Sequence, residues 1–191
     1  MADDGEPVND ETVATPRRLL AAVERARILD GPAEAVAKPL RRFFGGRMGR
    51  SLRGRELGHP LHPLAVTLPI GAWLCSSLLD FLPGNDSAAR RLVAVGLVAT
   101  LPTMVLGAAD YSGLDTRQRR VGLVHATGNA LAAIVFAKSY AARLRGAKGA
   151  GRTLNLVGLL VLSAGGALGG HLSYAQGAGV FRWQSANEGG V

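Results

Sequence analysis

Four long stretches of the chain are almost free of charge: Leu64 to Leu82, Leu92 to Ala109, Val121 to about Tyr140, and Leu154 to about Leu172. Each is close to the ~20 apolar residues that a helix needs to cross the hydrocarbon core of a bilayer. They are apolar nearly all round, so in water each would have to be covered on every side. A chain of 191 residues has no second layer able to do that for four helices. The expected fold is therefore all-α: an integral membrane antiparallel bundle of about four transmembrane helices, with lipid as the covering. Pro83, Gly84, Asn85 and Asp86 make a tight turn between the first pair, and the basic loop Gly146 to Gly151 joins the last pair.

The mean hydropathy of +0.17 is low for such a protein because the first fifty-odd residues are polar. Residues 1–15, with Asp3, Asp4, Glu6 and Asp10, read as a disordered acidic tail. Residues 16–57 form a basic amphipathic segment in which Leu19, Leu20, Val23, Ile28 and Leu29 alternate with arginines at roughly helical spacing. Such a segment suits an anionic membrane surface, or equally a solvated helix followed by a loop. The four-helix membrane domain then spans 58–182, and 183–191 is a C-terminal tail. The net charge of +8 does not point to nucleic acid, because the arginines flank apolar runs instead of lining one face. The single cysteine, Cys75, lies inside an apolar run and cannot form an internal disulfide.

An even number of spans puts both termini on one side, here called side A, with the loop from Tyr111 to Arg120. Side A carries the larger share of arginine, and the N-terminus lacks a basic region followed by an apolar stretch. Both termini are thus expected on the cytoplasmic side of a bacterial inner membrane.

The topology has one chemical consequence. His59 and His62 precede the first span, Asp110 and Tyr111 end the second, His125 lies one turn into the third, and His171 ends the fourth. All four histidines therefore gather on side A. His125 and His171, at matched depth on antiparallel neighbours, could be the axial ligands of a b-type haem. Gly165, Gly166, Gly169 and Gly170 would leave room for close helix packing or a flat macrocycle. His59, His62, His125, His171 and Asp110 could instead ligate a Zn, Cu or Fe ion. A third reading is a structural or proton-handling network of these histidines with Asp110, Tyr111 and Asn129. Asn129, one turn beyond His125, is a candidate second partner of that imidazole, with Tyr111 at the border of the site. Asp80 is expected to cap its helix or pair with Arg90 or Arg91 on side B.

The run Gly58-His59-Pro60-Leu61-His62-Pro63-Leu64, continued by Leu68-Pro69-Ile70-Gly71-Ala72-Trp73 and Leu79-Asp80, resembles the signature of a bacterial membrane family known as domain of unknown function 2231. Gly107-Ala108-Ala109-Asp110-Tyr111, Arg120-Val121-Gly122-Leu123-Val124-His125 with Asn129, and Gly169-Gly170-His171-Leu172-Ser173-Tyr174 extend the resemblance over about residues 55–182. The resemblance implies no established activity. It does imply a redox context, because relatives are often fused at the C-terminus to a Rieske iron-sulfur domain. The cysteine and histidine pairs of such a centre are not in this sequence, so a separate Rieske-type or other redox protein would be the partner. The expected function is a redox-associated membrane subunit holding haem or a metal ion. The alternatives are a structural or partner-anchoring protein, and a small-solute or proton transporter, for which the helix middles offer few polar groups.

Overall fold

The computed structural model describes residues 10–179, so residues 1–9 and the tail at 183–191 lie outside the described residues. Helix α1 covers Asp10–Arg25 and begins inside the stretch read as a polar tail; α2 covers Asp30–Phe43 and α3 covers Gly46–Leu52. The short helix α4, Leu61–Ala65, runs on into α5, Thr67–Leu79; then come α6, Asp86–Tyr111, α7, Thr116–Leu144, and α8, Lys148–Gly170. A single π-helical turn, His171–Ala175, extends α8. There is no strand among the described residues.

Local chemistry explains the boundaries. Pro60 is extended and caps α4, so the first span starts at Leu61, earlier than expected, and His62 belongs to its first turn. Gly54 sits at φ +88° in the preceding turn, where a Cβ would lie 1.8 Å from the His59 carbonyl oxygen; only glycine fits. Asp115 caps α7 through a capping box with Gln118.

Four helical stretches are long and apolar enough to cross a membrane: Leu61–Leu79, Asp86–Tyr111, Thr116–Leu144 and Lys148–Ala175. Only 28%, 28%, 22% and 11% of their most apolar windows is buried within the protein. The outward residues are Leu64, Leu68, Leu74 and Leu78 on the first span, Val98, Leu101 and Met104 on the second, Leu131 and Ile134 on the third, and Leu160 on the fourth. A soluble domain does not leave so continuous an apolar surface uncovered; a lipid-embedded bundle must.

The interior shows an arrangement that the residue types conceal. Helices α4–α5 with α6, and α7 with α8, are two hairpins of the same direction and the same internal spacing. His62, Trp73, Ser76 and Asp80 correspond to His125, Phe136, Ser139 and Arg143, offset by 63 positions; Ala89, Gly96, Thr103 and Gly107 correspond to Gly151, Gly158, Gly165 and Gly169, offset by 62. The contacts repeat too. Ser76 Oγ donates to the Ala89 carbonyl at 2.9 Å and Ser139 Oγ to the Gly151 carbonyl at 2.6 Å. A Cβ on Gly96 would strike the Trp73 ring, and one on Gly158 the Phe136 ring. Even the turns match, with Gly84 at φ 80° and Gly146 at φ 78°.

Helix α5 touches α6 and α8, and α7 touches the same two, so α5 and α7 stand on one diagonal of the bundle. Their equivalent residues meet across its middle. Trp73 and Phe136 stack with ring centroids 3.8 Å apart and planes 11° from parallel. Asp80 and Arg143 form a bidentate ion pair at 2.7 and 2.5 Å, with side chains 7% and 4% exposed. Asp80 thus pairs with Arg143, and more distantly with Arg152 at 3.7 Å, not with Arg90 or Arg91. The Asp86 carboxylate meets Lys148, its own repeat equivalent, at 2.7 Å. The two halves are related by a pseudo-twofold axis along the membrane normal, a parallel repeat.

Candidate functional site

Eleven residues above the aromatic stack, about 16 Å along the helices, the same diagonal brings His62 and His125 together. Their ring centroids lie 6.4 Å apart with perpendicular planes. Each ring is held in the same way by the partner helix of its own hairpin. His62 Nδ1 is 3.0 Å from the Thr103 carbonyl oxygen, and His125 Nδ1 is 2.8 Å from the Gly165 carbonyl oxygen. A carbonyl can only accept, so in both rings Nδ1 carries the proton and Nε2 presents the lone pair. One turn on from each carbonyl lies the glycine that makes room for the ring. A Cβ on Gly107 would stand 2.9 Å from His62 Cε1, and one on Gly169 would stand 2.7 Å from His125 Cε1.

Asn129 adds an asymmetric polar group. Its Nδ2 lies 3.1 Å from His125 Nε2 and 3.3 Å from Nδ1, and its Oδ1 is buried without a hydrogen-bond partner. The position equivalent to Asn129 in the first hairpin is Val66. The expected association of Asn129 with His125 is therefore present.

The other residues expected at the site are placed differently. The ring beside His125 is that of His62. His171 points instead to the N-terminal helices, where its Nε2 lies 2.5 Å from Glu24 Oε1. His59 is exposed. Tyr111 is buried, but its hydroxyl lies 3.2 Å from both the Ala33 and the Arg119 carbonyl oxygens and shares its one proton between them, fastening α2 to the bundle. Asp110 ends α6 one residue before it. Among the described residues, no three of the His, Cys, Asp and Glu side chains gather as a metal-holding group. The five-residue ion site of His59, His62, His125, His171 and Asp110 is thus not assembled, because their helices bring them to one depth but not to one azimuth.

The second polar centre on side A was not anticipated. Glu24, at the end of α1, accepts from His171 Nε2, from Gln176 Nε2 at 2.7 Å, and from Arg117 Nε at 3.0 Å. Next to it, Arg120 grips Asp30 with two bonds of 2.6 and 2.8 Å and reaches the Glu24 carbonyl at 2.7 Å. These contacts latch α1 and α2 onto the side A ends of α7 and α8. The sequence signal for it is slight: Glu24 is one of four acids among the eleven Lys and Arg of residues 17–57. Burial raises the Glu24 pKa, but the hydrogen bonds from Gln176, His171 and Arg117 outweigh it and lower the value to about 2.

A carboxylate whose pKa falls on folding stabilises the folded state above its unfolded pKa near 4.5 and loses that contribution as pH falls through about 2. Amide exchange in α1 and in the π turn, corrected for intrinsic rates, should therefore accelerate as pH falls below about 4.5. Glu24→Gln should show the open behaviour already at neutral pH, with exchange about tenfold or more faster, as expected for loss of charge-assisted bonds. Equal protection in Glu24→Gln and the parent would show that the latch does not hold the arm.

A family model described as predicted membrane protein (DUF2231) matches residues 58–182, which include both hairpins. No curated protein and no solved structure matches the chain.

Proposed function

The chain belongs to that family of predicted membrane proteins, and from this premise we propose that it is the membrane subunit of a redox system, holding a b-type haem between His62 and His125. The observation that carries the reading is the matched pair of imidazoles across the bundle axis. The rings stand 6.4 Å apart, and the unprotonated Nε2 of each is the nitrogen that would hold the haem iron. In each, the Nδ1 proton is committed to a helix carbonyl, which is how ligand histidines are oriented and made more basic.

The donor set favours haem over a bare ion. Zinc and comparable ions need about four protein or water ligands, whereas a haem brings its own four nitrogens and asks the protein for axial ligands only. A haem supplies one-electron chemistry when bound. His62 and His125 would hold it, the Thr103 and Gly165 carbonyls would orient the two rings, and the Trp73–Phe136 stack would close the bundle beneath. A Rieske-type or other redox protein on side A is the partner that this reading requires. One observation favours a structural reading instead: both nitrogens of His125 already have intraprotein partners.

Protein expressed with ample haem and iron and purified in detergent should show a Soret band and a sharp low-spin band on reduction. His62→Ala and His125→Ala should each abolish the low-spin spectrum, and His171→Ala should leave it. Stoichiometric metal without a Soret band would replace haem by an ion at the same pair. Neither signal would leave the structural, partner-anchoring reading.

We place side A in the cytoplasm of a bacterial inner membrane, on the arginine excess of that side. Topology reporters fused at Gly113 and at the C-terminus should agree with each other in the cytoplasmic sense and disagree with one at Gly146. Reporters at Gly113 and the C-terminus on opposite sides would overturn the four-span arrangement.

A further inference from the structure

Helix α2 has two apolar stripes where a helix at the edge of a bundle needs one. The inner stripe, Ala33, Ala37, Leu40 and Phe44, packs toward the bundle, with Ala33, Ala37 and Phe44 2%, 0% and 5% exposed. The outer stripe runs through Pro32, Val36, Pro39 and Phe43 at helical spacing, with Ile28 in the 3-10 turn Arg27–Leu29 just before the helix, and Ile28, Val36 and Phe43 are 86%, 42% and 67% exposed. At 100° per residue the two stripes are centred about 100° apart around the axis. Glu34 and Arg41, which pair with each other, lie roughly opposite the outer stripe; the exposed Arg42 lies about 90° from it, and the exposed Lys38 lies between Arg42 and Glu34.

We infer that the outer face of the N-terminal arm is a lipid-docking surface, with the Ile28–Val36–Phe43 stripe set into the side A leaflet and Lys38 and Arg42 on anionic headgroups. Three observations point to lipid as the occupant. The arm is fastened to the side A ends of α6 and α7 by the Tyr111, Arg117 and Arg120 contacts, which puts it level with the mouth of the bundle. The chain runs from it into the first span within the turn that ends at Pro60, so it is tethered at the interface. Its charge is that of a partner for anions: residues 17–57 hold eleven Lys and Arg against four acids, and three of those acids, Glu24, Asp30 and Glu34, are already paired with arginine. Exposed apolar residues flanked by unneutralised cations are the pattern of a helix lying in the headgroup boundary.

The test uses the full chain in vesicles, with Cys75→Ser to remove the native thiol and a nitroxide on Phe43→Cys or, separately, on Glu34→Cys. In vesicles of phosphatidylcholine and phosphatidylglycerol, the label at 43 should collide more often with oxygen than with an aqueous nickel chelate, and the label at 34 should show the reverse. Adding Lys38→Glu and Arg42→Glu should weaken the immersion by about fivefold per residue, and pure phosphatidylcholine should weaken it too. A label at 43 open to the nickel chelate in anionic vesicles would overturn the proposal. So would spin–spin broadening between labels at 43 that grows with protein density, which would make a second copy the occupant.

Discussion

Asp80→Ala should destabilise the protein by about 3–5 kcal/mol, the cost of stranding a buried charge whose partner has been removed. The pair it breaks is the tightest in the interior: two hydrogen bonds of 2.7 and 2.5 Å between side chains almost wholly out of contact with solvent. Thermal unfolding in nanodiscs measures it. Arg143→Met should cost less than Asp80→Ala, because Arg152, 3.7 Å from Asp80, remains to neutralise the carboxylate. The pseudo-twofold axis makes the more telling variant the exchange, Asp80→Arg with Arg143→Asp. Equivalent positions swap charge, so the pair is rebuilt in mirror sense and most of the stability returns, less what the new arginine loses beside Arg152. An exchange as unstable as either single variant would mean that the two halves are not interchangeable at this layer.

That layer also explains why unlike hairpins pair. Two copies of the first hairpin would oppose Asp80 to Asp80 and Asp86 to Asp86; two copies of the second would oppose Arg143 to Arg143. Like charges facing each other in a low-dielectric interior cost far more than they do in water. Opposite charges at equivalent positions therefore specify the pairing of one hairpin with the other and reject each hairpin's pairing with itself.

The spans were legible because their signal is redundant: twenty apolar residues in a row leave one physical solution. Depth was legible for the same reason, since alternating helix direction puts His62, His125 and His171 near one face. Azimuth was not. His171 follows Gly169 by two positions, about 200° around α8, and so turns away from His125 toward Glu24. His62 precedes the apolar run in the sequence, but Pro60 starts the helix early enough to aim it at the axis. The repeat is not legible in the sequence because its equivalences are of contact and not of residue type. Trp73 answers to Phe136, Asp80 to Arg143 and Thr103 to Gly165, and only the spacing between them is kept. The latch at Glu24 joins residues 93 and 147 positions apart, a pairing with no local periodicity to announce it.

Of the glycines before His171, the structure separates those that seat side chains from those that do not, and this yields the sharpest expected contrast. Gly169→Ala should push His125 off the Gly165 carbonyl, and Gly107→Ala should push His62 off the Thr103 carbonyl, since each new methyl would lie under 3.0 Å from a ring carbon. Neither ring can retreat freely, because its Nδ1–H is fastened to the very turn that carries the glycine. Overpacking of this kind costs about 1–3 kcal/mol. Its first visible effect should be at the imidazoles: nitrogen chemical shifts of His62 or His125 that report loss of the Nδ1 hydrogen bond, together with loss of any low-spin haem spectrum. Gly166→Ala and Gly170→Ala, where a methyl meets nothing within 4 Å, should leave both signals in place and, by helix propensity, raise stability slightly. If a flat macrocycle or close helix packing were what these glycines served as a group, all of them would respond alike; if the paired imidazoles are the site, Gly107 and Gly169 respond together, from opposite halves of the bundle, and their neighbours stay silent.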